Sequence, residues 1–195
     1  RKTLEQNAGK IRPGDVFMMN NPFNGGTHLP DVTVITPVFD EAGEKIIFVA
    51  ASRGHHADIG GKTPGSAPPD SRHIDEEGVL IDNFLLVGQG KLRESETRAL
   101  LATGKYPCRN IDQNMADLAA QIAANTTGTK ELQSIVRQFG LEVVHAYMGH
   151  VQDNAEESVR RVLDVLKDCS FEYPMDSGAH INVSIRVDKA AREAI

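Results

Sequence analysis

Short apolar runs alternate with turn-forming residues over the first hundred positions of the chain. Gly, Pro, Asn and Asp separate these runs, which is typical of strands joined by tight connections. The pattern predicts four strands, at residues 15–20, 32–39, 46–51 and 79–87. Residues 41–44 predict a hairpin turn between the second and third strands. Residues 62–70, with three prolines, predict a loop.

The period of the apolar residues becomes helical after about residue 105. One predicted helix carries the stripe Ile111, Met115, Leu118 and Ile122. Asn110 is its expected N-cap and Gln113 the reciprocal member of a capping box. Gly128 is expected to end this helix, Thr129 to cap the next, and Gly140 to precede a long one with a stripe from Val144 to Leu166. Residues 181–187 alternate as a half-buried strand does.

These elements predict an α/β (α+β) fold. Residues 1–104 form its N-terminal β-rich half with hairpins, and residues 105–195 form a helical layer of two to three helices and a final closing strand. We expect the two halves to make one continuous domain. Because the chain starts at Arg1 without Met and stops at Ile195 within a pattern, we interpret it as a fragment of a larger chain.

Composition narrows the functional classes. Hydrophobic residues make up 40% and charged residues 25%, which is ordinary for a globular chain and argues against disorder. Lys and Arg number 21 against 27 Asp and Glu, a net charge of −6, so nucleic acid is not an expected partner. No apolar stretch approaches the length of a membrane helix. Cys108 and Cys169 have no metal-ligand spacing, which favours reduced thiols and a cytoplasmic location.

The strongest chemical signal is a repeated H-x-x-D pattern. His28 and Asp31 form the first pair, and His55 and Asp58 form the second. Each pair stands at the edge of a predicted strand among glycines, and the intervening hairpin can bring the pairs together. Two imidazoles with carboxylates are a plausible ligand set for a divalent Mn, Fe, Co or Zn ion. Solvated histidines in turns are the alternative.

Other candidate residues have weaker patterns. Arg109 stands before the helix that carries Asp117 and Gln121, and a helix N-terminus with an arginine attracts anions; a solvated, capped helix face is the alternative. Cys108 and Ser66 are considered as nucleophiles, with inert structural roles as the alternative. Gly61-Lys62-Thr63 does not complete a P-loop, because His56 occupies the required glycine position and Pro64 follows.

A series of motifs extends over nearly the whole chain: residues 21–34, 51–61 and 64–66, Arg109-Asn110, Asp117-Leu118, Ala120-Gln121, residues 146–152 and residues 175–178. These motifs resemble the hydantoinase B/oxoprolinase family, above all the C-terminal part of its ATP-dependent 5-oxoprolinases. One departure is Asn21, which occupies the aspartate position of the family's usual N-D-P.

The resemblance implies ring-opening hydrolysis of a phosphorylated lactam or cyclic amide, 5-oxoproline or hydantoin. It implies metal ligation (Mn, Zn or Fe) by His28, Asp31 and His55, with Asp58 as a fourth ligand, an orienting group or a general base. Arg109 would hold a substrate carboxylate or phosphate, and Asp117 would join Asp58 and Arg109 as a catalytic residue. An ATP-binding hydantoinase A-like subunit or domain would use ATP and Mg, the substrate would be a small-molecule cyclic amide, and the assembly would be oligomeric.

Two alternatives stay open at this stage. A metal-dependent carboxylase-type relative acting on a ketone would use the same ligands, although the intact His55-His56-Ala57-Asp58 favours the hydrolase. A non-catalytic scaffold or interaction fragment would use these motifs only to maintain a fold. The resemblance implies an enzyme, but we expect this fragment to be inactive by itself.

Overall fold

A computed structural model describes all 195 residues, which divide into two compact units, Arg1–Gln133 and Ser134–Ile195. The first unit contains α1 (Lys2–Gln6), β1 (Val16–Met19), β2 (Asp31–Phe39), β3 (Ile46–His55), β4 (Phe84–Gly88), β5 (Lys91–Leu92), α2 (Glu94–Leu101) and most of α3 (Ile111–Phe139). The second contains the end of α3, α4 (Leu141–Leu163), β6 (Cys169–Pro174), β7 (His180–Ile185), β8 (Val187–Asp188) and β9 (Glu193–Ala194). The change in sequence pattern near residue 105 does not coincide with the boundary, which falls within α3.

The five strands of the first unit form one antiparallel sheet in the order β3-β2-β1-β4-β5. Its longest pair is β2 with β3, whose register runs from Asp31 opposite His55 to Phe39 opposite Ile46. Since successive side chains of a strand point to opposite faces, the two faces have different surroundings. On one face of β2, Val32 and Val34 are buried. On the other face, Asp31, Thr33 and Ile35 are only partly buried.

The predicted stripe on α3 packs against the buried face of this sheet. Met115 and Leu118 belong to the core, and Ile111 and Ile122 pack against it. The other core side chains come from three strands (β1, β2 and β4), α2 and the connecting loops: Val16, Met18, Leu29, Val32, Val34, Ile59, Val79, Ile81, Leu86, Val87, Leu101 and Cys108. An antiparallel sheet covered by helices that follow it in the chain is the predicted α+β fold, which is thereby confirmed.

The second unit buries little apolar surface. Of the predicted α4 stripe only Val144 is buried, while Val151 is 67% and Val159 62% exposed. All residues of the β6–β7 hairpin are exposed, so residues 181–187 do not form the half-buried strand that their alternation predicted. Alternation shows that one face of a strand is suited to burial, but it does not supply the surface that buries it.

Three further expectations differ from the structure. Gly128 does not end a helix, because α3 continues to Phe139; an isolated glycine costs a helix about 1 kcal/mol and does not break it. Strand β3 extends four residues beyond the predicted end at residue 51, as far as His55. The predicted strand 79–87 begins only at Phe84. Before it, the main chain of Val79 and Ile81 bonds to the Asn20 side chain, and the Ile81 carbonyl also accepts the backbone N–H groups of Asn20 and Asn21.

Candidate functional site

The paired ends of β2 and β3 place an acid and an imidazole side by side on the less covered face of the sheet. Asp31 is the first residue of β2 and lies opposite His55, the last residue of β3. The Nδ1–H of His55 donates to Asp31 Oδ1 over 2.8 Å. This contact fixes the ring orientation and leaves Nε2 of His55 free of that bond. A lone pair on Nε2 is able to bind a cation or accept a proton.

His28 joins this pair from the loop before β2. Its ring stacks on His55 with centroids 5.6 Å apart and an angle of 23° between the planes. The donor types of His28, Asp31 and His55 suit a divalent transition-metal ion. Their atoms do not converge on one point, however, since His55 bonds Asp31 and the two rings lie face to face. Within the chain, no three His, Cys, Asp or Glu side chains are arranged as the ligands of a single ion.

Asp58, the fourth residue of the predicted set, has other partners. Its Oδ1 accepts the backbone N–H groups of Gly60 and Arg109, and its Oδ2 accepts the N–H of Gly65 and the Arg109 guanidinium at 2.7 Å. Partial burial favours a higher pKa for Asp58, but the hydrogen bonds from Arg109 and the two glycines outweigh it and lower the pKa. Because both oxygens are occupied, Asp58 is not positioned as a ligand, and Asp31 orients His55 in its place.

Arg109 is therefore not a free anion receptor in this structure. Its Nη1 donates to Asp58, and its Nη2 donates to the carbonyl oxygen of Gly61 over 2.6 Å. These bonds tie the start of α3 to the loop after β3. One bond is to a side chain and the other to the main chain, and together they make the guanidinium a clamp between two segments 48–51 residues apart in the sequence.

The start of α3 is capped as predicted, but only on one side. Asn110 Oδ1 accepts the N–H of Gln113 over 3.1 Å. The Gln113 side chain does not return to Asn110 and donates instead to Asp117 over 2.9 Å. The expected reciprocal capping box is therefore wrong, and Asp117 lies partly buried one turn along the helix.

His56 is buried and links the end of β3 to α3. Its Nδ1 accepts from Asn114 Nδ2 at 3.0 Å, and its Nε2 donates to Gln121 Oε1 at 3.1 Å, the pattern of a neutral imidazole. Gln121 in turn donates to the carbonyl oxygens of Val32 and Ser52. His55 and His56 thus have opposite roles. His56 is only 2% exposed and is hydrogen-bonded by two amide side chains, whereas His55 faces solvent.

The two candidate nucleophiles have structural surroundings. Burial raises the pKa of Cys108 to about 12, and the negative charge of Asp58 contributes. A thiol with that pKa is protonated near neutral pH and is a poor nucleophile. Ser66 is buried; its hydroxyl donates to the carbonyl oxygen of Gly60 and accepts the N–H of Ile59, which holds the loop closed.

The segment that precedes the first H-x-x-D pair is also well anchored. Asn20 is completely buried, and its side chain bonds the main chain of Leu29, Val79 and Ile81. Asn21 Oδ1 accepts the N–H of Phe23 and caps the short 3-10 helix Pro22–Asn24. An aspartate oxygen accepts such a bond equally well, so the Asn21 departure preserves this local structure.

Comparison with known proteins places this geometry in a family. The hydantoinase B/oxoprolinase family matches residues 1–195. The chain belongs to that family. It is 43% identical to 5-oxoprolinase of Dictyostelium discoideum over 98% of its length, and 43% identical to 5-oxoprolinase 1 of Arabidopsis thaliana over its whole length. It spans only 15% and 17% of these relatives.

Two solved structures share the fold of this hydantoinase B/oxoprolinase chain. The ATP-dependent caprolactamase from Pseudomonas jessenii superposes with a TM-score of 0.81 at 27% identity, over 98% of this chain and 33% of that one. An acetone carboxylase superposes with a TM-score of 0.69 at 18% identity, over 94% of this chain and 26% of that one. At 18% identity the second likeness is evidence for the fold alone.

Sequence reasoning missed several residues that organise the site of this hydantoinase B/oxoprolinase chain. Asn114 and Asn125, on the same helix as Gln121, donate to main-chain carbonyl oxygens of Asp58 and Val34. Their spacing could have indicated them: Asn114, Gln121 and Asn125 are 7 and 4 residues apart, on the helix that also carries an apolar stripe. No helix of the chain is both long and apolar enough to cross a membrane.

Proposed function

We propose that the protein containing this chain hydrolyses a small cyclic amide, 5-oxoproline or hydantoin, in an ATP-dependent reaction. The observation that carries the proposal is the exposed cluster of His28, Asp31 and His55 at the paired ends of β2 and β3. Relatives named 5-oxoprolinase that are 43% identical support the substrate class. The caprolactamase named ATP-dependent supports the use of ATP on a cyclic amide.

The finer proposal is that the substrate arrives with its amide oxygen phosphorylated. A lactam carbonyl is a poor electrophile, and phosphorylation of its oxygen makes the ring carbon an imidate-like centre that water attacks. An ATP-binding hydantoinase A-like domain or subunit, using ATP and Mg, would perform that first step. This chain would then open the activated ring, within an oligomeric assembly in the cytoplasm.

His55 and Asp31 have complementary tasks in this proposal. Asp31 accepts a hydrogen bond from the Nδ1–H of His55. This bond stabilises the tautomer with the proton on Nδ1 and directs Nε2 outward. Nε2 is then available to bind a cation or to take the proton of an attacking water. Asp58 and Arg109 do not touch this atom; their pairing holds the neighbouring loop and the α3 N-terminus in place. A catalytic role for Asp117 stays a prediction.

We further propose that His28, Asp31 and His55 hold one divalent ion, Mn, Zn or Fe. When bound, such an ion polarises the substrate oxygen and lowers the pKa of a coordinated water. The donor chemistry supports the proposal, whereas the stacked rings mean that His28 and His55 have to rotate to direct nitrogens at the same ion. Asp58 is left out of this set because its oxygens hold four N–H donors.

The test uses the full-length enzyme with ATP and either 5-oxoproline or hydantoin, followed by phosphate release and ring-opened product. We expect His55→Ala to lose the bound metal, measured by elemental analysis, and to lower kcat at least 100-fold. His145→Ala is the matched control, an exposed histidine on α4. Metal content and turnover that survive in His55→Ala would refute the assignment, and a wild-type enzyme that opens neither ring would refute the function.

A further inference from the structure

The Asp31–His55 pair lies at the end of the β2–β3 ladder, where strand pairing alone holds it weakly. Asp31 opposite His55 is the last pair of the register. Beyond it, the N–H of His56 donates to the carbonyl oxygen of Pro30 over 2.8 Å. On the other side of β2, β1 ends opposite Thr33, and β3 is an edge strand, so no further strand flanks either member of the pair. Because the ends of a ladder open more readily than its centre, the separation of the two side chains needs a further restraint.

A glycine directly behind the pair opens the sheet to α3. The next pair of the register is Val32 with Gly54, whose side-chain positions are on the opposite face, toward the helix. A Cβ on Gly54 would lie 3.1 Å from Cδ of Gln121. The missing side chain at Gly54 therefore lets Gln121 reach the main chain of both strands, on the buried side of the Asp31–His55 bond.

The orientation of the Gln121 amide is fixed by its partners. Carbonyl oxygens accept hydrogen bonds and do not donate them, so the amide nitrogen has to face the carbonyls of Val32 and Ser52, over 2.9 and 3.2 Å. The amide oxygen is thereby directed to Nε2–H of His56 over 3.1 Å, and Asn114 holds the other ring nitrogen. Gln121 is buried, so a displacement of its side chain would leave polar groups unpaired in the interior.

These bonds hold the residue that directly follows each member of the Asp31–His55 pair along the chain. We propose that Gln121 is a positioning residue, which sets the separation of Asp31 and His55 and thereby the direction of Nε2 of His55. The inference rests on the proposed function and deepens it, because it adds a residue that acts on the reaction without touching the substrate. When the bonds of Gln121 are lost, the strand ends separate and the imidazole loses the carboxylate that orients it.

The test compares two amide-to-apolar variants of α3 in the full-length enzyme. Gln121→Met keeps the approximate volume of the side chain and removes its hydrogen bonds. Asn125→Leu is the matched control, because Asn125 is also buried but donates to the carbonyl of Val34, further from the pair. We expect similar losses in melting temperature, but a fall in kcat of about 10- to 100-fold in Gln121→Met with little change in KM, and a much smaller fall in Asn125→Leu. Gln121→Asn keeps the amide on a shorter side chain, should lose less kcat, and provides the comparison if Gln121→Met does not fold.

Hydrogen exchange, measured by mass spectrometry on the same proteins without substrate, reports on the strand ends directly. Gln121→Met should speed exchange about tenfold or more over residues 30–33 and 53–57, whereas Asn125→Leu should act mainly over residues 34–38. Unchanged exchange at the strand ends in Gln121→Met would overturn the proposal, as would equal falls in kcat for the two variants. A raised KM at unchanged kcat would also overturn it, because Gln121 would then bind substrate. A wild-type enzyme that opens neither 5-oxoproline nor hydantoin refutes the proposed function, and the exchange measurement still decides whether Gln121 fixes the pair.

Discussion

At the scale of single residues, identical amino acids separate into exposed and buried roles by their position on the sheet. His55 and Asp31 point to the less covered face, where their bond leaves one ring nitrogen available. His56, one residue later, is enclosed by Asn114 and Gln121. Arg109 and Arg53 differ in the same manner, since one is paired with a carboxylate and the other with hydroxyls. The chemistry available at this site therefore depends on which side-chain atoms are not already held by a carboxylate or an amide.

The Asp58–Arg109 pair gives a prediction about stability. We expect Arg109→Lys to lower the melting temperature of the full-length protein, because lysine replaces the two separate guanidinium nitrogens that bond Asp58 and the Gly61 carbonyl with a single nitrogen. Partial exposure limits the loss to about 1 kcal/mol. Arg98→Lys, at an exposed pair with Asp112, is the control and should change little. If instead Arg109→Lys impairs only KM, Arg109 binds substrate and the clamp is secondary.

The lowered pKa of Asp58 makes this contribution depend on pH. The folded pKa lies below the unfolded value of about 4, so the stabilisation is complete above that value and is lost as the pH falls through the folded pKa. The melting-temperature difference between wild type and Asp58→Asn should be constant from pH 5 to 8 and shrink below pH 4. A difference that grows on acidification would contradict the assigned direction.

At the scale of elements, α3 is held to the sheet by amides as well as by its apolar stripe. Asn114, Gln121 and Asn125 each donate to main-chain carbonyls of the β2–β3 region, and Ser52 donates back to the Gln121 carbonyl. Buried amides with fixed partners specify one position of a helix, since any shift leaves polar groups unpaired. These hydrogen bonds between α3 and the β2–β3 region therefore fix the strand ends that carry Asp31 and His55.

Gly54 makes the close approach of α3 possible. A Cβ at this position would lie 3.1 Å from Gln121 Cδ, and Gln121 cannot move without losing bonds to His56 and two carbonyls. We expect Gly54→Ala to destabilise by about 1–3 kcal/mol. Gly128→Ala is the matched control, because a Cβ there meets open space within a helix and should stabilise by about 0.5–1 kcal/mol. Thermal unfolding of both variants gives the comparison, and equal shifts would contradict it.

At the scale of the whole molecule, the chain holds one well-packed unit and a second unit whose apolar side chains are exposed. In α4 and the β6–β7 hairpin these include Tyr147, Val151, Val159, Phe171 and Tyr173, each more than 55% exposed. The chain spans 15–17% of the 5-oxoprolinases to which it is similar. We expect further parts of such a protein to cover these faces, because exposed apolar surface of this extent marks an interface.

Val151 tests that expectation. In the full-length protein Val151→Glu should lower the yield of folded protein and cost about 3 kcal/mol or more, because it would bury an unpaired charge. Gln152→Glu adds the same charge to the neighbouring exposed residue and serves as the control. Equal yields and melting temperatures for the two variants would show that Val151 faces solvent in the complete protein.

The sequence by itself determined the features that depend on near neighbours. Alternation located β1, β2 and β3, helical spacing located the α3 stripe and α4, Asn110 was recognised as a cap, and the repeated H-x-x-D marked the histidines. Local rules missed the length of α3 past Gly128 and the start of β4. Helix continuation and strand pairing there depend on contacts with distant segments, as the bonds of Asn20 to Val79 and Ile81 illustrate.

Only the tertiary structure decided which side chains are partners. Asp31 meets His55 across 24 residues, Asp58 meets Arg109 across 51, and His56 meets Gln121 across 65. The two H-x-x-D pairs look equivalent in sequence, yet one acid orients a histidine while the other anchors an arginine. The register of β2 and β3 and the packing of α3 set these distances, and a hydrogen bond forms only where both groups come within about 3 Å.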